Sequence, residues 1–64
     1  MMSLTLRQVR RLKEKSQHDL AEMLGVHVIT YRKLEKNPNL VTIGQAKKLA
    51  KYLGISYDEI FFDN

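Results

Sequence analysis

Gln17 to Glu35 reads QHDLAEMLGVHVITYRKLE, two short amphipathic segments joined at Gly25. In the first segment Leu20, Ala21 and Leu24 recur at the spacing of one helix face. In the second, Tyr31 and Leu34 do the same, with Val26 in the turn between them. Gly25 directly follows Leu24, at the place where a helix end favours a residue that takes positive φ without steric penalty. Ala21 contributes through its smallness, because a second helix can cross close over the first only where no large side chain holds them apart.

A small residue, a glycine turn and hydrophobic positions set at Tyr31 and Leu34 together describe a helix-turn-helix over about 17–36. The wider stretch Ser16–Val26, SQHDLAEMLGV, fits the pattern S-Q-x-x-L-A-x-x-L-G-V, and Thr30 is followed by Glu35 near the end of the second segment. On these residues the chain resembles the phage-repressor-like helix-turn-helix domains, the Cro and lambda-repressor (XRE) type, from about Leu6 to Phe61. The resemblance implies a compact all-α fold of five helices and sequence-specific binding to duplex DNA. It departs at Glu14 and Lys15, where such domains usually carry a glycine and then a hydrophobic residue. Leu12 is expected to supply the packing that this departure removes.

The chain has 64 residues and no cysteine, which predicts one domain, 1–64, with a small core and neither a disulfide nor a thiolate metal site. No apolar run approaches the roughly 18 residues of a membrane span, and the start, Met1-Met2-Ser3-Leu4, has no apolar leader segment. A cytoplasmic protein is the expectation. All 11 Lys and Arg lie between Arg7 and Lys51, against Glu14, Asp19, Glu22 and Glu35 in the same span. Beyond Tyr52 the charges are Asp58, Glu59 and Asp63 alone. A basic body with an acidic end suits a polyanion partner over the body.

Four stretches fit the capping-box pattern, starting at Thr5, Ser16, Thr42 and Ser56, and each precedes an apolar periodic segment. With them the spacing predicts helices over 6–14, 17–24, 28–36, 43–53 and 57–62. Gly54 stops the fourth, and Asn37-Pro38-Asn39 breaks the chain after the third. Helix 1 offers Leu6, Val9 and Leu12 to the core, and helix 4 a stripe of Ile43, Ala46, Leu49, Ala50 and Leu53. Lys47, Lys48 and Lys51 on the opposite face of helix 4 read as a solvated face.

In a helix-turn-helix the second helix lies in the major groove, with its early residues on base edges. Removing the core positions leaves Val28, Ile29, Arg32, Lys33 and Lys36 outward. Val28 and Ile29 can meet only thymine methyl groups; the alternative is that one of them tucks into the core beside Val26. Lys33 is the expected donor to guanine, Arg32 comes next or holds a phosphate, and Thr30 contacts either. Gln17, by the family likeness, anchors a phosphate at the start of helix 2, where the helix N-terminus favours anions. His27 stands where the family often has a Ser or Thr cap, and with Lys36, Asn37 and Asn39 completes the expected phosphate contacts. The likeness also implies that Arg10 and Glu35 pair across helices 1 and 3 as a structural ion pair.

In helix 5, Tyr57, Ile60 and Phe61 share one side and leave Phe62 over, so Phe62, with Phe61 and Tyr57, is the expected interface of a homodimer. The leading function is a transcriptional regulator, a repressor binding a two-fold operator on double-stranded DNA. The alternative is a protein-interaction module or antitoxin-type partner built on the same fold. An enzyme fits poorly, because His18 and His27 lie far apart for a nucleophile–base pair, there is no cysteine and no glycine-rich phosphate loop occurs. No cofactor, metal or small-molecule ligand is implied.

Overall fold

The computed structural model describes residues 4–56. Within them run four α-helices: α1 (Leu6–Leu12), α2 (Gln17–Leu24), α3 (Val28–Lys36) and α4 (Ile43–Leu53). A short 3-10 turn, Pro38–Leu40, separates α3 from α4. The fifth helix expected over 57–62, with Tyr57, Phe61 and Phe62, lies outside the described residues.

Each helix begins where a side chain takes one of the N–H groups that a first turn leaves unbonded. Thr5 Oγ1 accepts from the Gln8 N–H at 3.1 Å, and Gln8 Oε1 accepts from the Thr5 N–H at 2.8 Å. The same reciprocal box joins Ser16 to Asp19 and Thr42 to Gln45. At α3 the cap is His27, whose Nδ1 accepts from the Ile29 N–H at 3.1 Å.

Three helices end in one and the same turn. After α2, Gly25 N–H donates to Glu22 C=O and Val26 N–H to Ala21 C=O, with Gly25 at φ +72°. After α4, Gly54 and Ile55 repeat the pattern at φ +71°. After α1, Glu14 N–H donates to Arg11 C=O and Lys15 N–H to Arg10 C=O, with Glu14 itself at φ +57°. A non-glycine residue in this left-handed region costs about 1 kcal/mol. Helix α1 therefore stops at Leu12 rather than running to residue 14, because the chain reverses at Glu14 as it would at a glycine.

The core is one cluster of Leu6 and Val9 from α1, Leu20 and Ala21 from α2, Tyr31 and Leu34 from α3, and Leu49 and Leu53 from α4. Met23, Leu24, Val26 and Val28 pack against its edge. Two expected core positions are on the surface: Leu12 is 68% exposed and Ile43 is 65% exposed. Both occupy terminal positions of their helices, beyond the reach of the neighbouring elements. Leu12 does not give the expected packing; Lys15 is half-buried and holds its ammonium 5.3 Å from the centre of the Tyr52 ring on α4. A cation facing an aromatic ring is attracted to it, so this position is tied to α4 by a charged side chain.

Candidate nucleic-acid interface

The outer face of α3 is set by what its inner face is bonded to. Tyr31 and Leu34 point into the core, at 0% and 5% exposure. Glu35, one turn beyond Tyr31, is the meeting point of three helices. Its Oε2 accepts from Arg10 Nε of α1 and from the Tyr31 hydroxyl at 2.7 Å. Its Oε1 accepts from Gln17 Nε2 of α2 at 3.1 Å and, more weakly, from Arg10 Nη2 at 3.5 Å. The Arg10 and Glu35 side chains are 10% and 5% exposed, so the pair is largely withdrawn from water. Arg10 is satisfied further by Nη1 donating to the Lys15 carbonyl at 2.9 Å, an oxygen that the left-handed turn at Glu14 brings beneath it. Among the described residues, no buried side-chain nitrogen or oxygen lacks a hydrogen-bond partner.

Burial pushes the Glu35 carboxyl up, but the hydrogen bonds from Arg10, Tyr31 and Gln17 outweigh it, and the net shift is downward from the usual carboxylate range. Burial, and then the bond to Glu35, push the Tyr31 phenol well above its ordinary value. Glu35 is therefore an anion and Tyr31 a neutral donor across the ordinary pH range. Asp19 is held low by the Ser16 backbone N–H and then by the Ser16 hydroxyl in its capping box.

Gln17 carries the chain of bonds outward. While its Nε2 donates to Glu35, its Oε1 accepts from Arg32 Nε at 3.1 Å. Next to this bond lies a groove of about 690 Å³ between α1 and α3. Its walls are Arg7 and Arg11 on one side and Arg32 and Lys36 on the other. The largely buried Arg10 and Glu35 also line it, as do Ser16, Gln17 and His18 at the start of α2. Because Arg10 and Glu35 offset each other, the groove keeps the charge of its four outer cations. The N–H groups of Gln17 and His18, in the first turn of α2, add their partial positive charge.

The remaining expected contact residues are distributed as follows. Ile29 is 54% exposed, and Thr30, Lys33 and Lys36 are also at the surface of α3. Val28 is half-buried against the core, which leaves Ile29 as the outward member of the pair. His27 is exposed at the cap, with Nδ1 occupied by the Ile29 N–H. Asn37 and Asn39 are exposed where the chain leaves α3 and enters the 3-10 turn. The groove joins Gln17, Arg32 and Lys36, but neither Lys33 nor the asparagines belong to it. Arg7 and Arg11 were not anticipated. The signal was present in their spacing, since residues four apart lie on one helix face.

Among the described residues, no group of three or more His, Asp or Glu side chains is placed to hold a metal ion, and no helix is long and apolar enough to cross a membrane. A family model described as helix-turn-helix matches residues 6–60, nearly the whole chain. No curated protein matches it.

Proposed function

The chain belongs to this helix-turn-helix family, of the Cro and lambda-repressor (XRE) type, and from that membership we propose that it represses transcription by reading a two-fold operator as a homodimer. The family is one of DNA-binding domains. The observation that carries the reading to this chain is the pairing of an exposed α3 face with a cationic groove at its side. The face offers side chains to base edges, and the groove brings Arg7, Arg11, Arg32 and Lys36 together beside it, the charge a phosphate backbone needs.

In this reading Lys33 donates to the O6 and N7 acceptors of a guanine, and Ile29 covers a thymine methyl group, with Val28 behind it. Thr30 contacts base or phosphate. His27, Lys36, Asn37 and Asn39 hold phosphates around the helix, fixing its depth without carrying sequence information. Dimer contacts are assigned to Tyr57, Phe61 and Phe62, in the five-helix form of the fold, and the protein works in the cytoplasm. Phe62→Asp is then expected to shift sedimentation toward monomer at micromolar concentration.

The test is selection of sites from random duplexes, followed by titration of the selected site at several salt concentrations. The expected result is a two-fold sequence bound with an affinity that falls steeply as salt rises, because bound phosphates release counterions. An affinity for duplexes that is absent or nearly salt-independent overturns the reading in favour of a protein-interaction module.

A further inference from the structure

We propose that the groove between α1 and α3 is a phosphate clamp, in which Arg7 and Arg11 make α1 a DNA-contacting element and Gln17 acts by positioning Arg32 across from them. The inference rests on the DNA-binding reading and adds contacts that this reading does not need. Three observations carry it. Arg7 and Arg11 are four residues apart on α1, both are exposed, and both line the same groove as Arg32 and Lys36. The one acid in the groove, Glu35, is already bonded to Arg10, Tyr31 and Gln17, so it does not neutralise the outer arginines. And Arg32 is held rather than loose: its Nε is donated to Gln17 Oε1 at 3.1 Å.

That last bond assigns Arg32 its task. With Nε bound to Gln17, the guanidinium keeps its two terminal nitrogens for a partner, and the groove it lines opens onto Arg7 and Arg11. The edge formed by those two terminal nitrogens still presents paired N–H donors, which suit the oxygens of a phosphate. Arg32 is thus a backbone contact, and base reading on α3 falls to Ile29, Thr30 and Lys33. Gln17 changes role as well. One amide proton of its Nε2 is donated to Glu35 and its oxygen accepts from Arg32, so its main effect on DNA is exerted through the arginine that it orients.

The experiment measures the slope of log affinity against log salt, for the selected operator and for a random duplex. Wild type is compared with Arg7→Ala/Arg11→Ala, with Arg32→Ala, and with Lys47→Ala/Lys48→Ala on the far helix as a charge-matched control. Each lost phosphate contact lowers the slope by about 0.9. The Arg7/Arg11 double variant is expected to lower it by about 2 and Arg32→Ala by about 1, equally on both duplexes, while the control leaves it unchanged. Gln17→Ala is measured alone and with Arg32→Ala. It should weaken binding several-fold in wild type and hardly at all when Arg32 is already gone. Circular dichroism melts confirm that each variant is folded.

If wild type binds neither duplex, the DNA-binding reading itself fails. If it binds and the Arg7/Arg11 variant keeps the wild-type slope, the clamp is wrong and the reading stands. A slope lowered equally by the Lys47/Lys48 control reduces the effect to net charge and also overturns the clamp. Additive losses from Gln17→Ala and Arg32→Ala remove the positioning role.

Discussion

Arg10 and Glu35 are 25 residues apart in the chain and bonded to each other in the folded protein, the guanidinium of α1 against the carboxylate of α3. Around them gather the Tyr31 hydroxyl, the Gln17 amide and the Lys15 carbonyl, so that both charges are satisfied out of water. Such a pair adds little net stability, since desolvation offsets much of the attraction. Breaking it from one side is another matter.

Glu35→Ala is expected to destabilise the protein by roughly 3–5 kcal/mol, because it strands the Arg10 charge. A domain of this size has a total stability of roughly 3–10 kcal/mol, so the loss is a large fraction of the whole. The apolar replacement Arg10→Met/Glu35→Leu, combined with Tyr31→Phe to remove the stranded hydroxyl, should cost far less. Thermal denaturation of the two variants tests the contrast. An unchanged melting temperature for Glu35→Ala contradicts the buried pair.

Stability should fall on both sides of neutrality. Glu35 and Asp19 are held below their ordinary values in the folded state, so what they contribute is present above about pH 4.3, the unfolded glutamate value, and is lost as pH drops through the lower folded values. Tyr31 is shifted upward, so its contribution is complete below about pH 10 and declines as pH rises beyond that. Urea midpoints measured from pH 2.5 to 11 should show this plateau. Tyr31→Phe should lose the alkaline decline attributable to residue 31.

Glu14→Gly is expected to stabilise the protein by about 0.5–1 kcal/mol, because glycine adopts positive φ without the Cβ penalty. In a domain this small that raises the melting temperature by about 2–8 °C. Gly25→Ala should have the opposite sign and a similar size. An added Cβ there meets no neighbour within 4 Å, so the cost is confined to the backbone.

Ile29 and Lys33 should separate by the kind of base they read. Replacing a contacted thymine by uracil deletes only the methyl group, and should weaken wild type while leaving Ile29→Ala unchanged. Lys33→Ala should lose roughly 1–3 kcal/mol at a single guanine and little on random duplex. Equal loss on every sequence would put its amine on a phosphate instead.

How much of this was legible beforehand differs by the range of the interaction. The caps at Thr5, Ser16 and Thr42 and the stop at Gly25 are local, and each is written within four residues of where it acts. The end of α1 was not, because nothing local marks Glu14 as left-handed. That conformation goes with the turn into α2, in which the Lys15 carbonyl accepts from Arg10, a residue five positions back. Leu12 and Ile43 show the other limit of periodicity, which marks a helix face but not how far along it the neighbouring elements extend. The bond from Arg32 to Gln17 joins polar residues 15 positions apart and leaves no period behind. Likeness to a family pointed to Arg10 with Glu35, but not to the amide and phenol that converge on the same carboxylate.

The carboxylate of Glu35 also fixes an angle. Tyr31, one turn before it on α3, steadies the carboxylate, and the carboxylate's other bonds tie α3 to α1 through Arg10 and to α2 through Gln17, so those bonds act as one fastening. Turning α3 about its axis by one residue, about 100°, would sever the bonds to Arg10 and Gln17 together. The helix is therefore indexed like a dial with a single detent. Among the described residues, the side chains of Ile29, Thr30 and Lys33 take no part in that detent. They can be exchanged as a set while the bearing of the helix is kept, so the same body can be re-addressed to a different site by rewriting only the face that looks outward.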